Sequence, residues 1–332
     1  MRETILEVEN LKTFFFTHRG VVKAVDGVSL NIQRGENVGI VGESGCGKSV
    51  LARSIMRLIP NPPGRIVEGE ICFLGENLLE KTEKQMQGVR GNAISMVFQE
   101  PMTSLNPVFT VGEQLIEVFR KHQKLSSKDS LDKAVQMLKM VGIPSPETRV
   151  QDYPFQMSGG MRQRVMIAMA LACRPQLILA DEPTTALDVT IQAQILSLIS
   201  ELERELGTSM ILITHNLGVI AETVNRVLIM YAGQVLEEAN VEDLFAEPLH
   251  PYSEGLMWSV LPLEQGINKD MGDLPEIPGI VPDLTQLPRG CYFYPRCPKR
   301  LEICHHESPA LHPVRPGRQV RCWLYQKDRE SY

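Results

Sequence analysis

The run Gly42-Glu43-Ser44-Gly45-Cys46-Gly47-Lys48-Ser49, followed by Val50, has the spacing G-x-x-x-x-G-K-[ST], and these residue types suit the wrapping of a chain of phosphates. Glycines let the loop fold closely, so that successive backbone N–H groups and the following helix N-terminus face phosphate oxygens. Lys48 then reaches the β- and γ-phosphates, and the Ser49 hydroxyl binds Mg²⁺. Further along, Leu177-Ile178-Leu179-Ala180-Asp181-Glu182 ends an apolar run in two acids. In that place Asp181 can hold Mg²⁺ through water while Glu182 faces an attacking water. The duller readings are a glycine-rich turn without a ligand and a pair of helix-capping acids. An apolar run before the loop, a helical pattern after it, and both Lys and Ser in place argue against them.

A phosphate loop and an acidic strand also occur in GTPases, kinases and recombinases, so the segment between them decides. Ser158-Gly159-Gly160-Met161-Arg162-Gln163 lies 23 residues ahead of Asp181 and opens a helical pattern. It offers an anion a hydroxyl, two flexible backbone amides and a helix dipole. One chain thus has two phosphate-binding ends. If both cannot reach one nucleotide, two ATPase chains paired head to tail place the Ser-Gly-Gly end of each against the other's nucleotide.

Short apolar runs at Val38–Val41, Ala93–Phe98, Leu177–Ala180, Met210–Ile213 and Val227–Met230 predict buried strands. Segments of helical spacing lie between them at Ser49–Leu58, Val111–His122, Ser130–Val141, Arg162–Ala172 and Ile191–Leu206. The alternation predicts an α/β fold built on a largely parallel sheet. The stretch from Phe109 to Tyr153 interrupts the strand rhythm, which predicts an inserted helical subdomain at about 100–160. Past Val235 prolines crowd the chain and predict a loop-dominated region. Two domains are expected, 1–240 and 241–332.

The chain has 332 residues, 43% of them hydrophobic, enough for a large core. Its net charge of −6 argues against a nucleic-acid binder, whose footprint is a basic patch. The segment Arg289–Tyr332, with nine Lys/Arg against four Asp/Glu, is the exception. Residues Met1–Leu11 show neither part of a secretory signal, so a cytosolic chain is expected. The longest apolar run, Val165–Cys173, is far short of the roughly 20 residues that span a bilayer, so a membrane role has to be borrowed from a partner. Seven cysteines without an export signal argue against a disulfide framework. Cys291, Cys297, Cys304 and Cys322 are separated by five, six and seventeen residues. Four thiolates in a proline-rich tail suit a metal site, zinc or iron–sulfur, with buried free thiols as the alternative. Cys46, Cys72 and Cys173 are read as such core thiols.

With these motifs in this order, the chain resembles an ATP-binding cassette subunit, whose signature is usually written L-S-G-G-Q. Here Met157 and Met161 stand at the first and last positions of that signature. The resemblance implies a P-loop ATPase fold with a small antiparallel β subdomain, and it implies ATP and Mg²⁺ as ligands. It makes Gln99 the glutamine that contacts Mg²⁺ and water and senses the membrane subunits. It places Asp188, in Ala186-Leu187-Asp188, in the loop that crosses to the partner, and it makes His215 the γ-phosphate contact. Phe15 is assigned to adenine stacking, although Phe14 and Phe16 adjoin it and a core-facing aromatic answers the same pattern.

The segment His250-Pro251-Tyr252 and the later Tyr294-Pro295-Arg296-Cys297-Pro298 are similar to the C-terminal extension of oligopeptide and dipeptide transporter ATPases. In that group the four cysteines are associated with a 4Fe-4S cluster, zinc being the alternative here. The implied partners are two transmembrane permease subunits, a second homologous ATPase forming a heterodimer, and an extracytoplasmic peptide-binding protein. The implied place is the cytoplasmic face of the cell membrane, with dipeptides or oligopeptides as cargo. Nickel, glutathione and sugars are the alternative cargoes of the same engine. A soluble cassette ATPase of DNA repair or translation is disfavoured by the compact cassette and acidic balance, and a silent regulatory cassette by intact Lys48, Asp181, Glu182 and His215.

Overall fold

The buried apolar runs do become strands in the computed structural model of the chain, which describes residues 3–100, 104–184, 189–258 and 277–326. By its contacts the chain divides into two compact units. One comprises Met1–Glu3, Gln33–Glu36 and Glu80–Ile213, the other Thr4–Ile32, Asn37–Leu79 and Thr214–Tyr332.

The first unit carries three parallel strands, β6 (Ile94–Val97), β7 (Leu177–Asp181) and β8 (Ser209–Ile213). Every residue of all three is buried. Strands covered on both faces read as unbroken apolar runs, which is why the sequence marks them so well. Helices run at Val111–Gln123, Ser127–Met140, Gly159–Leu171 and Val189–Leu206, and Gly159–Leu171 packs on β6. Their starts are set by side chains that take up otherwise unpaired N–H groups. Thr110 and Glu113 form a capping box at the first of these helices, and Ser126 caps the second. Buried Gln114 donates to the carbonyls of Asn106 and Phe109 and accepts from the Asn106 N–H, pinning the approach to its own helix. Two of these helices, Val111–Gln123 and Ser127–Met140, lie within the stretch of about 100–160 where a helical insertion is expected.

In the second unit a four-stranded antiparallel-type sheet runs in the order β2 (Gly20–Gln33), β1 (Thr4–Thr17), β4 (Gly64–Phe73), β5 (Glu76–Asn77). A second group of strands runs β11 (His312–Arg315), β12 (Arg318–Val320), β10 (Gln234–Asn240), β9 (Arg226–Tyr231), β3 (Asn37–Val41). Only β3 and β9 are parallel, and the other neighbours are antiparallel. The proline-rich region is therefore less loop-dominated than its composition predicts. Its β11–β12 hairpin adds to β10, and helices occupy Val241–Ala246 and Pro251–Trp258. The hairpin is anchored by a buried charge pair. The Glu237 carboxylate accepts from Arg318 and from the backbone N–H groups of Leu249 and His250. A charge removed from water is tolerable only with this many partners.

Candidate nucleotide site

The residues singled out from the sequence fall on both units, and each unit carries its own constellation. In the second unit Gly42–Ser49 joins β3 to the helix Lys48–Ile55. Gly47 ends the loop at φ +105°, a left-handed conformation, and a Cβ there would lie 2.0 Å from the Ala24 carbonyl oxygen. Gly42 is equally closed, with the Met230 carbonyl oxygen 2.1 Å from a Cβ. Gly45, at φ +79°, faces open space. Two of the glycines are thus demanded by neighbouring backbone and the third by its own dihedral.

Lys48 is buried, and its Nζ donates to the carbonyls of Gly42 at 2.7 Å and Glu43 at 3.1 Å. The ammonium is folded across the loop, paired with groups that an incoming phosphate can replace. Burial pushes the Cys46 thiol up, Lys48 opposing, so Cys46 fills space as a neutral side chain, as expected of a core thiol. Ser44 and Gly45 are exposed, Ser49 and Val50 half-buried.

Three contacts that the sequence did not announce hold this loop. Gly233 donates its N–H to the Cys46 carbonyl at 2.9 Å. Tyr252 accepts the Glu43 N–H at 3.0 Å, and Arg296 grips the Glu43 carboxylate with both ends of its fork, at 2.6 and 3.0 Å. The nearest signal in the sequence is the pair of C-terminal segments around Tyr252 and Arg296, whose residue types alone name no partner.

Phe15 lies half-buried on β1, opposite Gly64 of β4, and a Cβ on Gly64 would meet its ring at 2.8 Å. The half-buried ring lies against that glycine. His215 is exposed just beyond β8, where Asn216 caps the helix Leu217–Thr223 by accepting from Gly218 and Val219.

The first unit brings together Gln99 and Glu182. The Gln99 side-chain amide donates to a Glu182 carboxylate oxygen at 2.9 Å. Asp181 is buried at the end of β7, and Glu182 turns the chain at φ +46° while its N–H donates to the Ile213 carbonyl at 2.8 Å. A non-glycine residue in that conformation is strained and persists where surrounding bonds over-determine it. Ser158 caps the helix Gly159–Leu171, its hydroxyl accepting the Met161 N–H at 3.3 Å. Met161 therefore supplies a backbone group to the cap whatever its side chain is. Ser158 and Gly159 are exposed, whereas Met157 is buried. From the same helix buried Gln163 donates to the Pro183 carbonyl, and from the helix Val189–Leu206 Gln192 donates to the Thr184 carbonyl. These amides fix the turn after Glu182, and from the sequence alone Gln163 stands out only as the end of the run Ser158–Gln163. Asp188 lies outside the described residues.

The four tail cysteines are free thiols, three of them buried and Cys297 half-buried. Burial pushes Cys291 up to about 11, with Cys304 and Cys297 adding to the rise. Burial likewise pushes Cys322 up to about 12, with the other three thiols adding. The Cys291 N–H donates to the Cys304 carbonyl at 2.8 Å. Among the described residues, however, no group of three or more His, Cys, Asp or Glu side chains is gathered so as to hold a metal ion. The expected metal-bearing character of the extension therefore gains no support from the geometry. Nor is any helix among the described residues long and apolar enough to cross a membrane.

The family model described as ABC transporter matches residues 25–185, and that of the oligopeptide/dipeptide transporter C-terminal region matches residues 236–304. The chain is 52% identical to a probable peptide ABC transporter ATP-binding protein of Sinorhizobium fredii, over 97% of this chain and 95% of that one. It is 51% identical to the oligopeptide transport ATP-binding protein AppD of Bacillus subtilis, with 98% of each covered. With the dipeptide transport ATP-binding protein DppD of the same organism it shares 48%, over 99% and 97%. Among solved structures, the ATP-binding cassette MJ0796, a dimer bound to ADP and Pi, superposes with a TM-score of 0.64 at 30% identity. That match covers 71% of this chain and 98% of the other.

Proposed function

The chain belongs to the ATP-binding cassette transporter family, in its oligopeptide and dipeptide branch, and on that premise we propose how its two constellations drive peptide uptake. It is the ATP-binding, ATP-hydrolysing subunit of an importer. Peptide transport is in the names of the relatives at about half identity, and the C-terminal region that gives the branch its own family model is present here. Nickel, glutathione and sugars have no such support.

ATP enters through the Gly42–Ser49 loop. Lys48 exchanges its two carbonyl partners for phosphate oxygens, and Ser49, Asp181 and Gln99 are the residues that would hold Mg²⁺, which would neutralise charge on the β- and γ-phosphates. Glu182 takes the proton of the attacking water, oriented by its bond to Gln99 and by the strained turn that Gln163 helps to fix. His215 meets the γ-phosphate, and Phe15 takes the adenine. The Ser158–Gly160 helix start, exposed at Ser158 and Gly159, serves the nucleotide of a second, homologous ATPase, with Asp188 in the crossing loop, so each site is completed by the other chain. Two permease subunits and an extracytoplasmic peptide-binding protein complete the assembly. The chain works peripherally, at the cytoplasmic face of the membrane.

Cys291, Cys297, Cys304 and Cys322 take a 4Fe-4S cluster, zinc being the alternative. The donor chemistry supports this reading: four free thiols, with Cys322 near enough to the other three for their charges to raise it. When bound, the centre would cross-link the tail and supply no electrons to hydrolysis. Iron and sulfide analysis after anaerobic purification should find about four of each, and a colourless protein with neither iron nor zinc would remove the centre.

The observation that carries the functional reading is the Gln99–Glu182 bond at the end of a strand bearing Asp181, in a chain that also holds Lys48 in a closed phosphate loop. Reconstitution with the permease subunits, the second ATPase and the binding protein tests it. Labelled dipeptide or oligopeptide should accumulate in vesicles only with MgATP. ATP-driven uptake of nickel, glutathione or a sugar instead would overturn the cargo.

A further inference from the structure

We propose that Arg296 and Tyr252, from the C-terminal extension, are positioning residues for the phosphate loop and act on it through Glu43. The inference rests on the reading of Gly42–Ser49 as the ATP site.

Glu43 occupies the second position of that loop, where a carboxylate is an awkward neighbour. It places a fixed negative charge beside the N–H groups and the ammonium that must attract phosphates, and like charges at close range repel. Arg296 answers both the charge and the position. Its side chain is 5% exposed and its two terminal nitrogens lie 2.6 and 3.0 Å from the Glu43 oxygens, the bidentate geometry that fixes a carboxylate in place. The guanidinium is itself located by its Nε, which donates to the Pro278 carbonyl at 3.0 Å, and by the Tyr231 ring at 5.7 Å.

Tyr252 fixes the other half of the residue. Its hydroxyl accepts the Glu43 N–H, so this amide of the loop has a partner before any phosphate arrives. Its ring is held by Tyr231, 4.8 Å away between centroids, and by Phe293 at 5.4 Å. Phe293 stands three residues before Arg296, so one short stretch of the extension sets both the aromatic wall and the charge. The loop is thereby shaped by residues more than two hundred positions further along the chain.

Equilibrium binding of ATP to the full chain tests this, with thermal unfolding measured on the same samples. Arg296→Gln should weaken ATP binding roughly tenfold, the uncompensated Glu43 charge being the cause. Raising the salt should shrink that loss. Arg296→Lys, which keeps the charge and loses the fork, should fall between. The double variant Glu43→Gln/Arg296→Gln should regain most of the affinity, since it removes both charges. A role confined to folding would not be rescued in this way. Tyr252→Phe keeps the aromatic packing and should cost about threefold, and it decides the case if Arg296→Gln does not fold. Unchanged affinity in Arg296→Gln or in Tyr252→Phe, or no recovery in the double variant, overturns the proposal. Failure of the wild-type chain to bind ATP overturns the nucleotide-site reading itself along with it.

Discussion

The two phosphate-directed constellations are stabilised in opposite ways. The loop Gly42–Ser49 is held from far away, by Tyr252 and Arg296 at sequence separations of 209 and 253 residues. The acid-bearing turn at Asp181–Glu182 is held from closer by, by Gln163 twenty residues upstream and Gln99 at 83. The loop is a closed cradle with its lysine already satisfied, whereas the acidic turn is strained and its partner helix start at Ser158 is exposed. A phosphate cradle gains by being preformed, because ordering it on binding would cost affinity. A turn that must change partners during a cycle gains by being held through a few side chains.

Backbone closure should make the cradle the less forgiving of the two. Gly47→Ala forces a left-handed residue and a Cβ 2.0 Å from the Ala24 carbonyl oxygen, and should cost about 3 kcal/mol of stability with loss of ATP binding. Gly45→Ala has only the dihedral to bear and should cost about 1 kcal/mol. Chemical denaturation of the two variants ranks them, and equal losses would show that the carbonyl contact does not matter.

The exposed Ser158 end should break differently. In the assembled transporter, Ser158→Arg should reduce photolabelling by an ATP analogue at the second ATPase by about tenfold or more while the Lys48 site keeps its label. Loss confined to the Lys48 site would refute the exchanged arrangement. Gln163→Ala, which frees the Pro183 carbonyl, should lower the hydrolysis rate by about tenfold with ATP affinity unchanged within twofold. A change in affinity alone would place Gln163 outside the acidic turn's function.

The extension beneath the loop also responds to acid. Burial depresses buried His250 to about 3, and its Nδ1 accepts the Tyr252 N–H at 3.0 Å. The unfolded chain then binds the proton first, so stability is complete above about pH 6.5 and falls as pH drops from there toward 3, by about 1.4 kcal/mol per unit. Denaturant unfolding at pH 7.5 and 5.5 should show about 1 kcal/mol of this, absent in His250→Asn, and equal slopes would place the acid response elsewhere.

What could be read in advance follows the same division. Strands β3, β7, β8 and β9 are buried apolar runs, and their expected bounds fall within two residues of the observed ones. The long strands β1 and β2 gave no such signal, because each is partly exposed and β1 carries register shifts between Glu9 and Thr13. The loop glycines, Lys48, Gln99 and Glu182 are legible because motif spacing is local. Arg296, Tyr252 and the Glu237–Arg318 pair are not, since pairings across 81 to 253 residues leave no periodicity to read. The proline-rich tail nonetheless shares a core with β9 and β10 through Phe293 against Tyr231, Val320 and the Glu237–Arg318 pair.

Glu182 is the group proposed to turn the preformed phosphate cradle into a hydrolysing site. Single-turnover hydrolysis of ATP by the assembled transporter carrying Glu182→Gln, with the second ATPase inactivated, measures this alone. The amide keeps the size and the bond to Gln99 while losing the base, so ATP should stay bound and its cleavage should slow by about 10²- to 10⁴-fold. Cleavage at a near wild-type rate would contradict the account.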